Sequence, residues 1–222
     1  PPDGSDERRG GDTGEGGAEW WSPPRSPFGL LEEILWSDEW KLLVACMMLN
    51  CTTRLQVDRV LWRLFLLVPT PEDAIRLGAD EGGLGDGFGP EGEKSGLDRI
   101  EEILRPLGLH RKRARALVKL SEDYVSAKGA AALPEGPPGG AEVDGAEGGV
   151  IGGAPNNSSR LRVPVASLHG VGAYASDAHA MFCEGLLGVA PRDHALRWWY
   201  AWALERRESE RRTRRAAAQA AR

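Results

Sequence analysis

Apolar residues in this chain recur every three to four positions, and no stretch of four or more alternates apolar with polar as a half-buried strand does. Between Arg54 and Leu67 the spaced set is Val57, Val60, Leu61, Leu64 and Phe65. Val68-Pro69 ends it, because the residue before a proline is pushed out of the helical region. Glu39 to Leu49 is apolar on nearly every side, the pattern of a helix in the middle of a core, and Asp38 ahead of it can cap the first amides. Thr70-Pro71-Glu72-Asp73 opens a short fourth helix, since proline suits the first turn and acids favour the positive end of the helix dipole. A first helical segment is expected after Pro27, with Phe28, Leu31, Ile34 and Leu35 on one face and Glu32 and Glu33 on the other. Leu97, Ile100, Ile103, Leu104 and Leu107 carry the pattern to Gly108. A helix from His110 to Ala127 then sets Ala114, Leu117, Val118, Ser121 and Val125 against a basic face of Arg111, Lys112, Arg113, Arg115 and Lys119. Two further helices follow Val163-Pro164 and run to Arg207. The fold class is all-α.

The 222 residues, 41% hydrophobic with 29 Gly and 15 Pro, fit one medium domain interrupted by polar tracts. Residues 1–19 are rich in Gly, Asp and Glu and are expected to be a disordered tail. The domain spans 20–207, with Gly-rich inserts at 78–96 and 129–159, and an Arg/Ala-rich tail closes the chain at 208–222. Such inserts are tolerated because loop-closure entropy grows only logarithmically with length. No apolar run approaches the ~20 residues of a bilayer span, and Pro1-Pro2-Asp3-Gly4 opens without the hydrophobic stretch of a signal peptide. Cys46, Cys51 and Cys183 are odd in number and lack CxxC spacing, so free thiols in a reducing compartment are expected, without a zinc or iron–sulfur site. The net charge is −5, yet residues 105–128 carry seven cations against two acids and residues 205–222 seven against three. Such stretches are either solvated helix faces or surfaces that neutralise phosphates.

The most informative stretch is Leu168-His169-Gly170-Val171-Gly172-Ala173-Tyr174. Two glycines around one apolar residue, followed at once by a new helix, allow a tight hairpin with main-chain N–H groups turned outward. The helix dipole behind it then favours one backbone phosphate, bound without reading sequence. An ordinary turn between helices uses the same residues. Asp193, in Pro191-Arg192-Asp193-His194, reads by itself as a helix N-cap. Tyr174 and Leu109 read equally as core residues.

Leu168-His169-Gly170-Val171-Gly172-Ala173-Tyr174 resembles the helix–hairpin–helix of the DNA glycosylase superfamily. Pro24-Arg25-Ser26-Pro27-Phe28, Trp40-Lys41-Leu42-Leu43, Leu49-Asn50-Cys51-Thr52-Thr53, Pro106-Leu107-Gly108-Leu109 and Pro191-Arg192-Asp193-His194 fall in the same order in one subfamily. That subfamily comprises the glycosylase domain of the methyl-CpG-binding-domain thymine glycosylases and their plant relatives. The resemblance implies a monomeric, nuclear enzyme of base excision repair that needs no cofactor or metal. It acts on double-stranded DNA carrying thymine or uracil opposite guanine, and engages no membrane. Residues 1–19 are too few to hold the methyl-CpG-binding module of some relatives.

The resemblance also assigns roles. Asp193 is the catalytic carboxylate, with Asp177 as the weaker competitor. Gly170, Val171 and Gly172 hold a phosphate, and the basic Lys112 and Arg113 hold others. Leu109 is the wedge, and Cys51 stands at a plug position that usually carries Arg or Lys. Tyr174 and Glu32 line the base pocket, Glu32 where a Gln is the rule. Tyr174 also occupies the place of the Schiff-base lysine of lyase-competent members, so hydrolysis alone is expected.

Overall fold

The computed structural model describes residues 21–80, 94–129, 161, 163–188 and 190–221, and among these every regular element is helical. The order is α1 (Glu32–Leu35), α2 (Glu39–Leu49), α3 (Arg54–Leu67), α4 (Pro71–Ala79), α5 (Gly96–Leu104), α6 (His110–Gly129), α7 (Ala173–Phe182) and α8 (His194–Ala220). Single 3-10 turns at Arg105–Leu107 and Val165–Ser167 lead into α6 and α7. Helix starts are capped as their sequences allow. Asp38 accepts from the Lys41 amide, Thr70 from Asp73 and Ser95 from Asp98, while Thr53 and Gln56 form a reciprocal capping box.

The all-round apolar α2 is the centre, touching α1, α3, α6 and α7. Leu42, Val44, Ala45 and Met48 on it are wholly inaccessible. Trp40 is buried among them, and its indole N–H donates to Ser121 Oγ on α6 at 3.0 Å. Trading that ring for alanine costs roughly 3–5 kcal/mol. A second seam joins α7 to α8, where the Phe182 and Trp199 rings pack with centroids 4.4 Å apart. Trp21 closes over the same place, its indole N–H donating to Phe182 O at 2.8 Å. This seam fixes the start of α8 against α7. None of the described helices is long and apolar enough to cross a membrane.

Three expectations change. The segment after Pro27 is a turn and then only the four residues of α1, with Gly29 at φ +62°. Its faces are only partly as expected: Leu31 and Leu35 are buried, but so are Glu32 and Glu33, whereas Phe28 and Ile34 are more than two-fifths exposed. The reason is local satisfaction. The Glu33 carboxylate accepts from Ser26 N at 2.7 Å, Ser26 Oγ at 2.5 Å and Leu30 N at 3.1 Å, so the turn wraps around it. Next, α6 buries a broader face than its aliphatic pattern predicts, taking in Leu120, Tyr124, Ala127 and also Arg113, which is removed from the exposed basic face. Finally, α8 continues from Arg207 to Ala220. Ion pairs Arg206–Glu210 at 2.9 Å and Arg212–Glu208 at 3.5 Å sit at i,i+4 spacing along that extension. The expected tail at 1–19 and most of both expected inserts lie outside the described residues.

Candidate functional site

Tyr174 lies in the first turn of α7, and its hydroxyl donates to Glu32 Oε1 on α1, 142 residues away in the chain. The Cys46 thiol on α2 donates to the same oxygen at 3.8 Å. Glu32 is thus a buried carboxyl whose described hydrogen-bond partners are a hydroxyl and a thiol. Burial pushes it above the usual carboxylate range, against the lowering effect of the Tyr174 hydrogen bond and the more distant Arg54 charge. Burial also raises the Tyr174 hydroxyl far up, and the neighbouring Glu32 and Cys46 act the same way. The Cys46 thiol is raised by burial, then by the Glu32 charge, and stays a thiol at neutral pH.

Asp193 is the N-cap of α8. Its Oδ1 accepts from Ala195 N at 2.8 Å and Leu196 N at 3.1 Å. Oδ2 is left out of the cap, on a side chain that is 28% exposed, with His194 Nδ1 3.6 Å away. One carboxylate can therefore cap a helix with one oxygen and present the other. Around it stand groups that the sequence reading did not single out. The His194 and Trp198 rings meet edge to face at 5.3 Å, and Phe28 lies 6.3 Å from Trp198. Phe28 and Trp198 are both exposed. The i,i+4 spacing of His194 and Trp198 was the available signal.

The Gly170–Gly172 turn leads into α7 and so to Tyr174. Gly170 has φ +76°, and a Cβ there would also meet Met47 Sδ at 3.3 Å, so glycine fits both the turn and its packing on α2. His169 N donates to Asp123 on α6 at 2.9 Å, fixing the approach. The Val171 amide is engaged by Leu168 O at 3.2 Å. What the segment offers an anion is therefore the start of α7, which no side chain caps. Asp177 is on the same helix, partly exposed.

Cys51 and Leu109 sit elsewhere, on bends next to α2 and α6, both exposed. Arg113, expected at a phosphate, is instead buried, and its guanidinium donates to Gly108 O at 3.1 Å, Met47 O at 3.0 Å, Met48 O at 3.3 Å and Asn50 O at 2.8 Å. A fork spent on four carbonyls has no face left for a phosphate. Lys112 beside it is exposed. Among the described residues no group of three or more His, Cys, Asp and Glu is arranged to hold a metal.

Among the described residues the fold and site define an all-helical protein with an N-cap carboxylate on α8, a buried Tyr–Glu pair between α7 and α1, and an uncapped start of α7. The chain is similar to a methyl-CpG-binding domain protein 4-like protein of Arabidopsis thaliana, 31% identical over 181 residues. That alignment covers 81% of this chain but only 29% of the relative, so the chain spans less than a third of the length of the curated relative it matches. No family model matches the chain.

Proposed function

We propose that this chain is a DNA glycosylase of the helix–hairpin–helix superfamily, related to the methyl-CpG-binding-domain thymine glycosylases. It hydrolyses the N-glycosidic bond of thymine or uracil mispaired with guanine in duplex DNA. The observation that carries this reading is Asp193. One carboxylate oxygen is spent on the cap of α8 and the other is left outside that cap, while the uncapped start of α7 suits a backbone phosphate. In the reaction the C1′–N1 bond breaks, and water supplies hydroxide to C1′ and a proton to the departing base. The transition state carries positive charge on the sugar. Asp193 Oδ2 stabilises that charge and takes the proton from the attacking water. The target nucleotide must leave the stack to reach it.

Tyr174 and Glu32 form the wall of the base pocket in this reading. Burial shifts Glu32 toward its protonated form, and a protonated carboxyl has both an O–H donor and a carbonyl acceptor, as the amide of glutamine has. It therefore meets a pyrimidine edge without repelling its oxygens. Neither Ala173 nor Tyr174, the first two residues after the hairpin, supplies an amine, so the product is an abasic site without strand cleavage. The enzyme acts as a nuclear monomer without a cofactor. A CpG context, carried in the name of the Arabidopsis relative, is the first sequence context to test.

The test is single-turnover base release from duplexes holding one G·T, one G·U or only matched pairs, read as alkali-labile sites, for wild type and Asp193→Asn. Release from the mismatches alone, lost in the variant with DNA binding retained, is expected. The short, uncharged Cys51 favours a second reading, in which the chain binds DNA without excising a base. Salt-dependent binding with no product from any duplex would establish that reading instead.

A further inference from the structure

Among the described residues only two that are not glycine have positive φ, Cys51 at 58° and Leu109 at 49°. An L-residue is strained there, and such strain persists only where the surroundings over-determine it. Burial is not the reason, because Cys51 is exposed and Leu109 is 64% exposed. Each residue directly follows a carbonyl held by one buried side chain. Arg113 Nη2 donates to Asn50 O, and Arg113 Nε donates to Gly108 O. Nη1 holds Met47 O and Met48 O in the last turn of α2. The Arg113 amide in turn donates to Leu109 O at 2.9 Å. A guanidinium is rigid and planar, so its donors fix these carbonyls relative to one another, and both bends inherit that spacing.

We propose that Arg113 is a positioning residue that locks the Cys51 and Leu109 bends into one two-pronged element, which enters duplex DNA as a unit and holds the target nucleotide out of the stack. The occupant is duplex DNA, because Leu109 is an exposed apolar tip and the start of α6 that follows it carries the exposed cations Lys112, Arg115 and Arg111, the last also paired with Glu101 at 3.6 Å. The proposal rests on the glycosylase reading but concerns penetration of the duplex, which can be measured without base release.

The experiment places 2-aminopurine next to the thymine of a G·T pair and follows its fluorescence, which rises on unstacking, at saturating full-length protein. Wild type, Leu109→Ala, Arg113→Lys, Cys51→Gly and the doubles with Leu109→Ala are compared. Wild type is expected to raise the signal. Leu109→Ala and Arg113→Lys each lower the unstacked fraction by about tenfold, and either double is no worse than its worse single variant. Additive losses would overturn the proposal, since a merely structural Arg113 weakens the protein independently of Leu109. No rise with wild type would also overturn it. Should Arg113→Lys not fold, Cys51→Gly with Leu109→Ala carries the same test, because glycine accepts the φ of that bend without strain. Unstacking without base release sustains the proposal and removes the enzyme reading.

Discussion

Around Tyr174, side chains hold side chains: a hydroxyl and a thiol meet on one buried carboxyl. Around Arg113 one buried side chain holds main-chain carbonyls and leaves exposed tips at Cys51 and Leu109. The first region has its polar groups inside and tuned by burial. The second invests a buried charge in backbone geometry and keeps its contact residues chemically plain. Chemistry and positioning are therefore separable, and substitutions should damage one without the other.

The largest separation is expected at Asp193. Asparagine is as good an N-cap as aspartate, so Asp193→Asn should leave the thermal midpoint nearly unchanged. It should lower single-turnover base release by about a thousandfold. Equal losses of stability and activity would mean that the carboxylate is only a cap. Arg113→Met should show the opposite pattern. Leaving four carbonyls without their donor costs about 3 kcal/mol in urea unfolding, with the pH dependence of any remaining base release unaltered.

The two regions also differ in how far sequence reaches them. The bounds of α2 and α3 and the start of α4 follow from caps and spacing, and the structure has the same limits there, with α4 running on to Ala79 inside the expected insert. Asp193 was legible both as a cap and, through resemblance, as a candidate for chemistry. The inward turn of Glu32 was expected only through the resemblance, which sets it with Tyr174; helical spacing put it outward, because its partners Cys46 and Tyr174 lie 14 and 142 residues away. A charged residue next to the apolar face of a short helix reads as solvent-facing unless those partners are known. Arg113 is harder still. It shares a basic run with Arg111, Lys112 and Arg115, and its acceptors are carbonyls, which every residue has and no sequence distinguishes. The length of α8 was legible after all: Arg206–Glu210 and Glu208–Arg212 spacings and an alanine-rich end favour helix past Arg207.

Within the first region, Tyr174→Phe tests whether the hydroxyl is needed by Glu32. Losing one hydrogen bond to a buried carboxyl should cost about 1–2 kcal/mol. It should also move Glu32 further up, since the Tyr174 bond is the largest influence holding it down. Glu32→Gln is the milder partner. Glu32 is raised in the folded state, so between 4.5, its ordinary value, and that higher value the folded chain keeps a proton that the unfolded chain has lost. Stability contributed by this group is full below 4.5 and falls as pH rises through that window. Unfolding measured across pH should therefore flatten in Glu32→Gln, while mismatch base release at neutral pH persists. A variant with the same pH slope as wild type would show that Glu32 is not the titrating group.

The smallest effect is expected at Lys112, the exposed neighbour of the buried Arg113. A surface lysine with no part in the core should leave unfolding within about 0.5 kcal/mol of wild type when changed to alanine. If it meets a phosphate, Lys112→Ala should weaken binding to matched and mismatched duplexes alike. The slope of log affinity against log salt should then become shallower by about 0.9. Arg113→Lys, by contrast, should leave that slope alone, because a cation engaged by carbonyls releases no counterion from DNA. An unchanged slope in Lys112→Ala together with a shallower one in Arg113→Lys would reverse the assignment of the two cations. It would also undo the division between a region that positions and a surface that binds.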